Sequence, residues 1–190
     1  MEKASHPFCP RKEQTGLLII DVQDSLMRAM ESKVREKVVN NIKLLIALSG
    51  RINFPLIYSE QYPKGLGRTI PELRGVLPEN EQPVEKLFFS CCGEEAFNSR
   101  FRKLAVKTVI LAGVETHICV LQTVLDLLSG GYTVHVASDA VCSRYRQDWE
   151  VGLRLMDKAG AVITTTETLV FELLAKAGTD DFKFMSNLLK

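Results

Sequence analysis

Three residues in this 190-residue chain have types and positions that could do chemistry: a cysteine, an aspartate and a lysine. Cys119 lies in L-A-G-V-E-T-H-I-C-V, residues 111–120, where an apolar run passes through a glycine into a polar turn and then a helical pattern. With Thr116 as N-cap, Cys119 is the third helical residue. The unpaired N–H groups and dipole of a first helical turn favour negative charge, so a thiolate would gain there. The same N–H groups could hold an oxyanion. The alternative is a small hydrophobe packed between Ile118 and Val120. Asp21 ends the apolar run T-G-L-L-I-I-D, residues 15–21. A carboxylate there is costly unless paired or set in a cleft, and burial raises its pKa toward the range of a general base. It could instead cap a nearby helix. Lys86 sits in V-E-K-L-F-F-S, a mostly apolar stretch. A surface lysine is the ordinary reading; a half-buried ammonium would need an anion, and Asp21 or a Cys119 thiolate would serve.

The elements that must position these residues follow from periodicity. Short continuous apolar runs at 15–21, 54–59, 106–113, 132–138 and 161–164, with a weaker one at 83–88, suit strands buried on both faces of a parallel sheet. Segments 32–49, 117–129, 147–159 and 167–177 carry helical spacing. In 32–49 the apolar positions are Val34, Val38, Ile42 and Leu45; in 117–129 they are Ile118, Leu121, Leu125 and Leu128. Strands alternating with helices predict an α/β fold: three layers, doubly wound, with a mostly parallel six-stranded sheet and helices on both faces. The expected organisation is an N-terminal tail over 1–14 and one domain over 15–190. In such sheets ligands bind beyond the carboxyl ends of the strands. That rule independently picks out Asp21, Ser59–Tyr62, Lys86, Val114–Cys119 and Asp139. The irregular stretch 60–82 is long for a connecting loop and points to function or mobility.

Composition narrows the partners. Formal net charge is +1, apolar residues make up 46% and charged residues 25%. No basic run is long enough to track a phosphate backbone, so nucleic acid is not expected. No apolar run approaches the roughly 20 residues of a membrane span. The N-terminus lacks the apolar core of a secretory signal, and a cytoplasmic location is expected. Five cysteines without a CxxC pattern argue against a disulfide framework and against zinc. Cys91, Cys92 and Cys142 read as packing residues.

Taken together, L-L-I-I-D-V-Q at 17–23, E-K-L-F-F-S at 85–90 and A-G-V-E-T-H-I-C-V at 112–120, followed by G-Y-T-V-H-V-A-S-D-A at 131–140, resemble the isochorismatase-like cysteine hydrolase superfamily. The resemblance spans about residues 15 to 175. It implies an Asp–Lys–Cys triad at Asp21, Lys86 and Cys119. It also implies a cis peptide at Val114–Glu115 and an oxyanion hole from the N–H groups of Glu115 and Cys119. Gln23 matches a family position near the site, and a homo-oligomer is the implied assembly. One departure is informative. Nicotinamidases in the superfamily bind a metal through an aspartate and histidine cluster after the second strand. Here that stretch reads Y-S-E-Q-Y-P-K-G-L-G, residues 58–67, without histidine, and is similar to the isochorismatase domain-containing subgroup. Neither metal nor other cofactor is expected, and nicotinamide is disfavoured as substrate.

The resulting expectation is a hydrolase acting on a small-molecule amide or related C–N bond through a thioester, with Asp21 moving the proton and Lys86 steadying the anion. Gln23, Gln61, Tyr62, Thr116 and His117 are the substrate-contact candidates. Arg68 and Arg74 could bind a carboxylate, or could simply be solvated. The alternatives are a non-catalytic binding module, a peroxide-reactive thiol, and vinyl-ether hydrolysis. The apolar run T-L-V-F-E-L-L offers Leu169, Val170, Phe171, Leu173 and Leu174, either to a partner subunit or to the sheet.

Overall fold

The computed structural model describes residue 6 and residues 8–189. Residues 1–5 and 7 of the expected tail lie outside the described residues. The strands are β1 Thr15–Ile20, β2 Leu56–Gln61, β3 Val84–Lys86, β4 Thr108–Val114, β5 Thr133–Cys142 and β6 Val162–Thr164. They form one sheet in the order β3-β2-β1-β4-β5-β6, and every pairing is parallel. The "mostly parallel" expectation therefore sharpens to an all-parallel sheet. The helices are α1 Asp24–Arg28, α2 Ser32–Ile52, α3 Pro63–Leu66, α4 Pro71–Arg74, α5 Glu95–Lys103, α6 Leu121–Ser129, α7 Arg146–Lys158, α8 Thr166–Leu174 and α9 Asp180–Leu188.

The two faces of the sheet bury two separate cores. Leu17 and Ile19 of β1, with Ile110, Ala112 and Val114 of β4, face α2, α8 and α9. Leu18 and Ile20, with Val109 and Leu111, face α5, α6 and α7. This is why β1 reads as an unbroken apolar run: each residue of a central parallel strand is covered on one face or the other. In α2 the inner face is Val38, Val39, Ile42, Leu45, Ile46, Leu48 and Ser49, and the helix stops at Asn53 in the left-handed region. Val34, expected on that face, is 38% exposed. The stretch 60–82 is less irregular than expected, since it contains α3 and α4 and a bridge between Gln23 and Thr69.

β1 and β4 are neighbours although two strands separate them in sequence, so the crevice of the fold opens at their carboxyl ends. Gly113 makes that adjacency possible. It pairs with Ile20 at φ +120°, and a Cβ there would lie 2.1 Å from the Ile20 carbonyl oxygen. No other residue type fits. On the C-terminal side, Leu169, Val170 and Leu173 of α8 are buried in the core. Phe171 sits 6.1 Å from Phe182 of α9, so the last helix takes part of the apolar surface that the sequence left open.

Candidate active site

Three strands end at the site. Asp21 follows β1 with φ +51°, a left-handed conformation that aspartate adopts more readily than most residues other than glycine. Its N–H donates to the Ser59 carbonyl at 3.2 Å. Its side chain is fully buried. Ser59 Oγ donates to Asp21 Oδ1 at 2.7 Å, and Lys86 Nζ lies 2.7 Å from Oδ2. Lys86 ends β3, in register with Gln61 of β2. Its buried ammonium also donates to Gln61 Oε1 at 2.7 Å, to the Phe89 carbonyl at 2.9 Å and to the Phe88 carbonyl at 3.2 Å. Desolvation alone would strip the proton from such a lysine. These oxygens answer that penalty, and the Asp21 carboxylate carries the net shift upward.

Cys119 is 5% exposed, and its thiol lies close enough to the Asp21 carboxylate to feel its charge. The structure thus brings together the carboxylate, ammonium and sulfur picked out from sequence. It corrects the expectation of a depressed thiol pKa. Burial and then the adjacent Asp21 charge push the Cys119 thiol up, outweighing Lys86, so at rest the sulfur keeps its proton. Burial likewise raises the Asp21 carboxyl against the pull of Lys86 and Ser59. A second sulfur stands close by: Cys91 Sγ is 3.6 Å from Ser59 Oγ, and burial pushes its thiol up to about 12.

The nucleophile turn also differs in detail. Thr116–Val120 forms a π turn, with Glu115 at the cap position, before α6 begins. Thr116 is therefore the first helical residue, and its Oγ1 is buried without a hydrogen-bond partner. The wider turn changes the phase at which α6 leaves it. Thr123, Val124 and Leu127 are the buried residues of α6, while Leu125, expected to face inward, is 39% exposed. The Val114–Glu115 peptide is cis. Gly152 of α7 lets that helix press on the turn, since a Cβ there would lie 3.1 Å from the Thr116 carbonyl and the His117 Cα.

The other candidates divide. Gln23 is fully buried. Its Nε2 donates to the Gln61 and Gly67 carbonyls at 3.0 and 2.6 Å, and its Oε1 accepts from the Gln61 N–H at 2.7 Å. Gln61 gives Oε1 to Lys86, and its Nε2 donates to the Leu87 carbonyl at 2.9 Å. Both amides are engaged within the fold, so they position the strand ends and Lys86, and the expected substrate contact finds no free group in Gln23. Tyr62 is half exposed at φ +37° and lines a cavity of about 400 Å3 outside β3 that touches Lys86 but neither Asp21 nor Cys119. His117 Nδ1 is 2.9 Å from Ser143 Oγ. Glu115 is buried, and its Oε2 accepts from the N–H and Nε of Arg144 at 3.0 and 3.2 Å. Arg68 is engaged by Glu60 and Glu85, which removes it as a free carboxylate ligand. Among the described residues no group of three or more His, Cys, Asp or Glu side chains is arranged to hold a metal ion. None of the helices among them is long and apolar enough to cross a membrane.

Sequence reading alone missed the part played by Ser59 and Gln61. The signal was weak: polar residues closing a buried strand, whose partners are set by register across three strands.

A doubly wound parallel sheet with ionisable groups gathered at the carboxyl ends of its central strands is a frequent plan among enzymes, and comparison places this chain among hydrolases. The isochorismatase domain matches residues 15–168. Isochorismatase family protein 1B of Dictyostelium discoideum is 37% identical over 181 residues, covering 94% of this chain and 87% of that protein. Family protein 1A of the same organism is 42% identical over 149 residues, 77% of this chain and 72% of that protein. Among solved structures, one described as MAR1 ribonuclease from Caenorhabditis elegans superposes with a TM-score of 0.87 at 34% identity, covering 95% of this chain and 91% of that one. The chain belongs to the isochorismatase family and carries its hydrolase fold.

Proposed function

We propose that this chain is a cysteine hydrolase that cleaves a small amide or related C–N bond through a thioester, with Asp21, Lys86 and Cys119 as the reacting groups. The supporting observation is a buried thiol, Cys119, within the electrostatic reach of a carboxylate already paired to an ammonium. Asp21 takes the thiol proton as Sγ attacks the carbonyl carbon, so charge moves from carboxylate to substrate oxygen as the S–C bond forms. Lys86 keeps the site's cation in place throughout. The oxyanion is held by the N–H groups of Cys119 and Glu115. In the turn, the Ile118 and Val120 amides both reach the Glu115 carbonyl, at 3.0 and 3.3 Å, and the Cys119 N–H lies between them. Each such donor is worth roughly 3 kcal/mol in the transition state. Protonated Asp21 then gives its proton to the leaving nitrogen as the C–N bond breaks. Water attacks the thioester, Asp21 takes the water's proton, and the C–S bond breaks. The sulfur recovers that proton from Asp21, and the acid leaves.

Thr116 and His117, in the nucleophile turn, are the substrate-facing side chains in this reading, while Tyr62 lines a cavity that reaches the site only at Lys86. A homo-oligomer belongs to it as well and rests on the family resemblance. A sulfur in this position favours acyl transfer over vinyl-ether hydrolysis, which does not call for a thiol. Although three solved relatives are described as MAR1 ribonucleases, two of them as putative ones, an RNA substrate fits this chain poorly. Lys86 already has four oxygens around it, and formal net charge is only +1.

The test is ammonia release across a panel of small amides, ureas and carbamates, with single-stranded RNA as a separate arm. Wild type should turn over at least one small substrate, Cys119→Ala should lose turnover, and acid-quenched protein should carry an acyl adduct on Cys119. Full turnover in Cys119→Ala, or Cys119-dependent cleavage confined to RNA, overturns the reading.

A further inference from the structure

A second cavity, of about 520 Å3, opens at the carboxyl end of β5, roofed by the first turns of α2 and α7. Neither Asp21, Lys86 nor Cys119 lines it. Polar and apolar residues share its lining, and the apolar ones supply most of the surface: Val38 and Cys142 are buried, Val34 is partly exposed, and the Trp149 ring is fixed by its Nε1 donating to the Ser138 carbonyl at 3.2 Å. Its volume lies within the roughly 300–1,000 Å3 range of ordinary ligand sites.

The charged groups around this apolar body are unevenly committed. Arg144 is gripped from behind, since Glu115 Oε2 holds both its N–H and its Nε. That clamp orients the guanidinium while its side chain stays 50% exposed, and among the described residues no protein acceptor reaches its two terminal nitrogens. Lys37, on the α2 side, has no carboxylate partner among the described residues. By contrast the Asp139 carboxylate is turned away, accepting from the Thr166 N–H and Oγ1 at 2.8 and 2.9 Å. Arg146 is paired with Glu150. Glu31 remains at the rim as the one unmatched anion. An oriented guanidinium fork with free N–H groups, a second cation and an aromatic wall together suit a planar anion on an apolar body.

We propose that this cavity is a binding site for a small organic carboxylate bearing an aromatic or branched apolar body. The carboxylate meets Arg144 and Lys37, and the body lies between Trp149 and the α2 valines. The site is separate from the proposed reaction and does not depend on it.

The chain supplies its own probe, because Trp149 is its only tryptophan. Titration of the full chain with benzoate, benzamide and acetate, read by Trp149 fluorescence, tests the assignment. Benzoate should give a saturable change below about 10 mM, with benzamide and acetate each roughly tenfold weaker or worse, the scale of a lost charge-assisted contact or of lost apolar burial. Arg144→Gln and Lys37→Gln should each weaken benzoate. Lys37 is exposed, so that variant keeps the test clear of any folding defect from uncoupling Glu115. Cys119→Ser should bind benzoate as wild type does. The assignment is overturned by absence of a saturable change, by benzamide or acetate matching benzoate, by Lys37→Gln retaining full affinity, or by loss of binding in Cys119→Ser, which would place the ligand at the thiol instead.

Discussion

Replacing Asp21 by asparagine should abolish turnover and yet make Cys119 easier to alkylate. The carboxylate that the mechanism needs as a proton acceptor is also the charge that keeps the resting thiol protonated, since burial and then Asp21 hold it up while Lys86 pulls the other way. Asparagine is close to isosteric and can still accept from Ser59. Lys86 retains Gln61 Oε1 and the Phe88 and Phe89 carbonyls, so its ammonium persists without the carboxylate. The sulfur then faces one cation and no anion. A unit charge about 4 Å away at an effective dielectric of about 20 is worth roughly 4 kcal/mol, so the thiolate population can rise by up to about a thousandfold. A less basic thiolate is a weaker nucleophile, with a Brønsted slope of about 0.5, which trims the net gain in alkylation rate to roughly 30-fold. The assay is iodoacetamide labelling at pH 7 with peptide-level mass spectrometry. Cys92 provides the internal reference, because it is only partly buried and its thiol is raised by burial and Asp126 with no contribution from Asp21. An unchanged or slower rate at Cys119 in the asparagine variant would refute this electrostatic account, whatever happens to turnover.

Two further consequences concern the same network. Burial raises the Asp21 carboxyl above the ordinary 3.8, and only its ionised form can take the thiol proton, so kcat/KM should rise with pH along a limb lying above that value. Ser59→Ala deletes a hydrogen bond that favours the ionised form and should move the limb further up, lowering activity at a fixed pH on it roughly fivefold for about 1 kcal/mol lost; a limb that stays put or moves down contradicts the role given to Ser59. Gln61→Leu removes one of the oxygens around the buried Lys86 ammonium and should lower kcat by roughly 10- to 100-fold with little change in KM, the scale of losing a hydrogen bond to a charged group; a rise in KM at constant kcat would mark Gln61 as a substrate contact after all.

Much of this was readable because buried parallel strands leave a plain signature. β1 and β4 are apolar on both faces, and each ends where the apolar run meets Asp21 or the V-E-T-H-I-C turn. What sequence could not give was phase and register. The π turn at Thr116–Val120 is set by tertiary fit, with α7 pressing through Gly152, and it rotated the inner face of α6 away from Leu125. No periodicity count can see one extra residue in a turn. In the same way Gln23 and Gln61 looked like free amides in a loop, because their partners lie on strands 38 and 25 residues away.

The thiol's protonation state shows most clearly why chain order alone could not settle the site. From the sequence, a helix start and a nearby lysine both argue for a thiolate. Besides burial, the influence that opposes them is a carboxylate 98 positions upstream in the numbering, from Asp21 to Cys119, brought near because Gly113 lets β4 close on β1. There the proton has two sites, sulfur and carboxylate, both raised by burial, and Lys86 beside them stabilises whichever one is ionised. In the proposed mechanism, a substrate excluding water or an oxyanion forming at the turn would move the proton from Cys119 to Asp21. On that proposal the resting protein would be spared a permanent thiolate, which is the form open to oxidation, and would generate the nucleophile only as substrate binds.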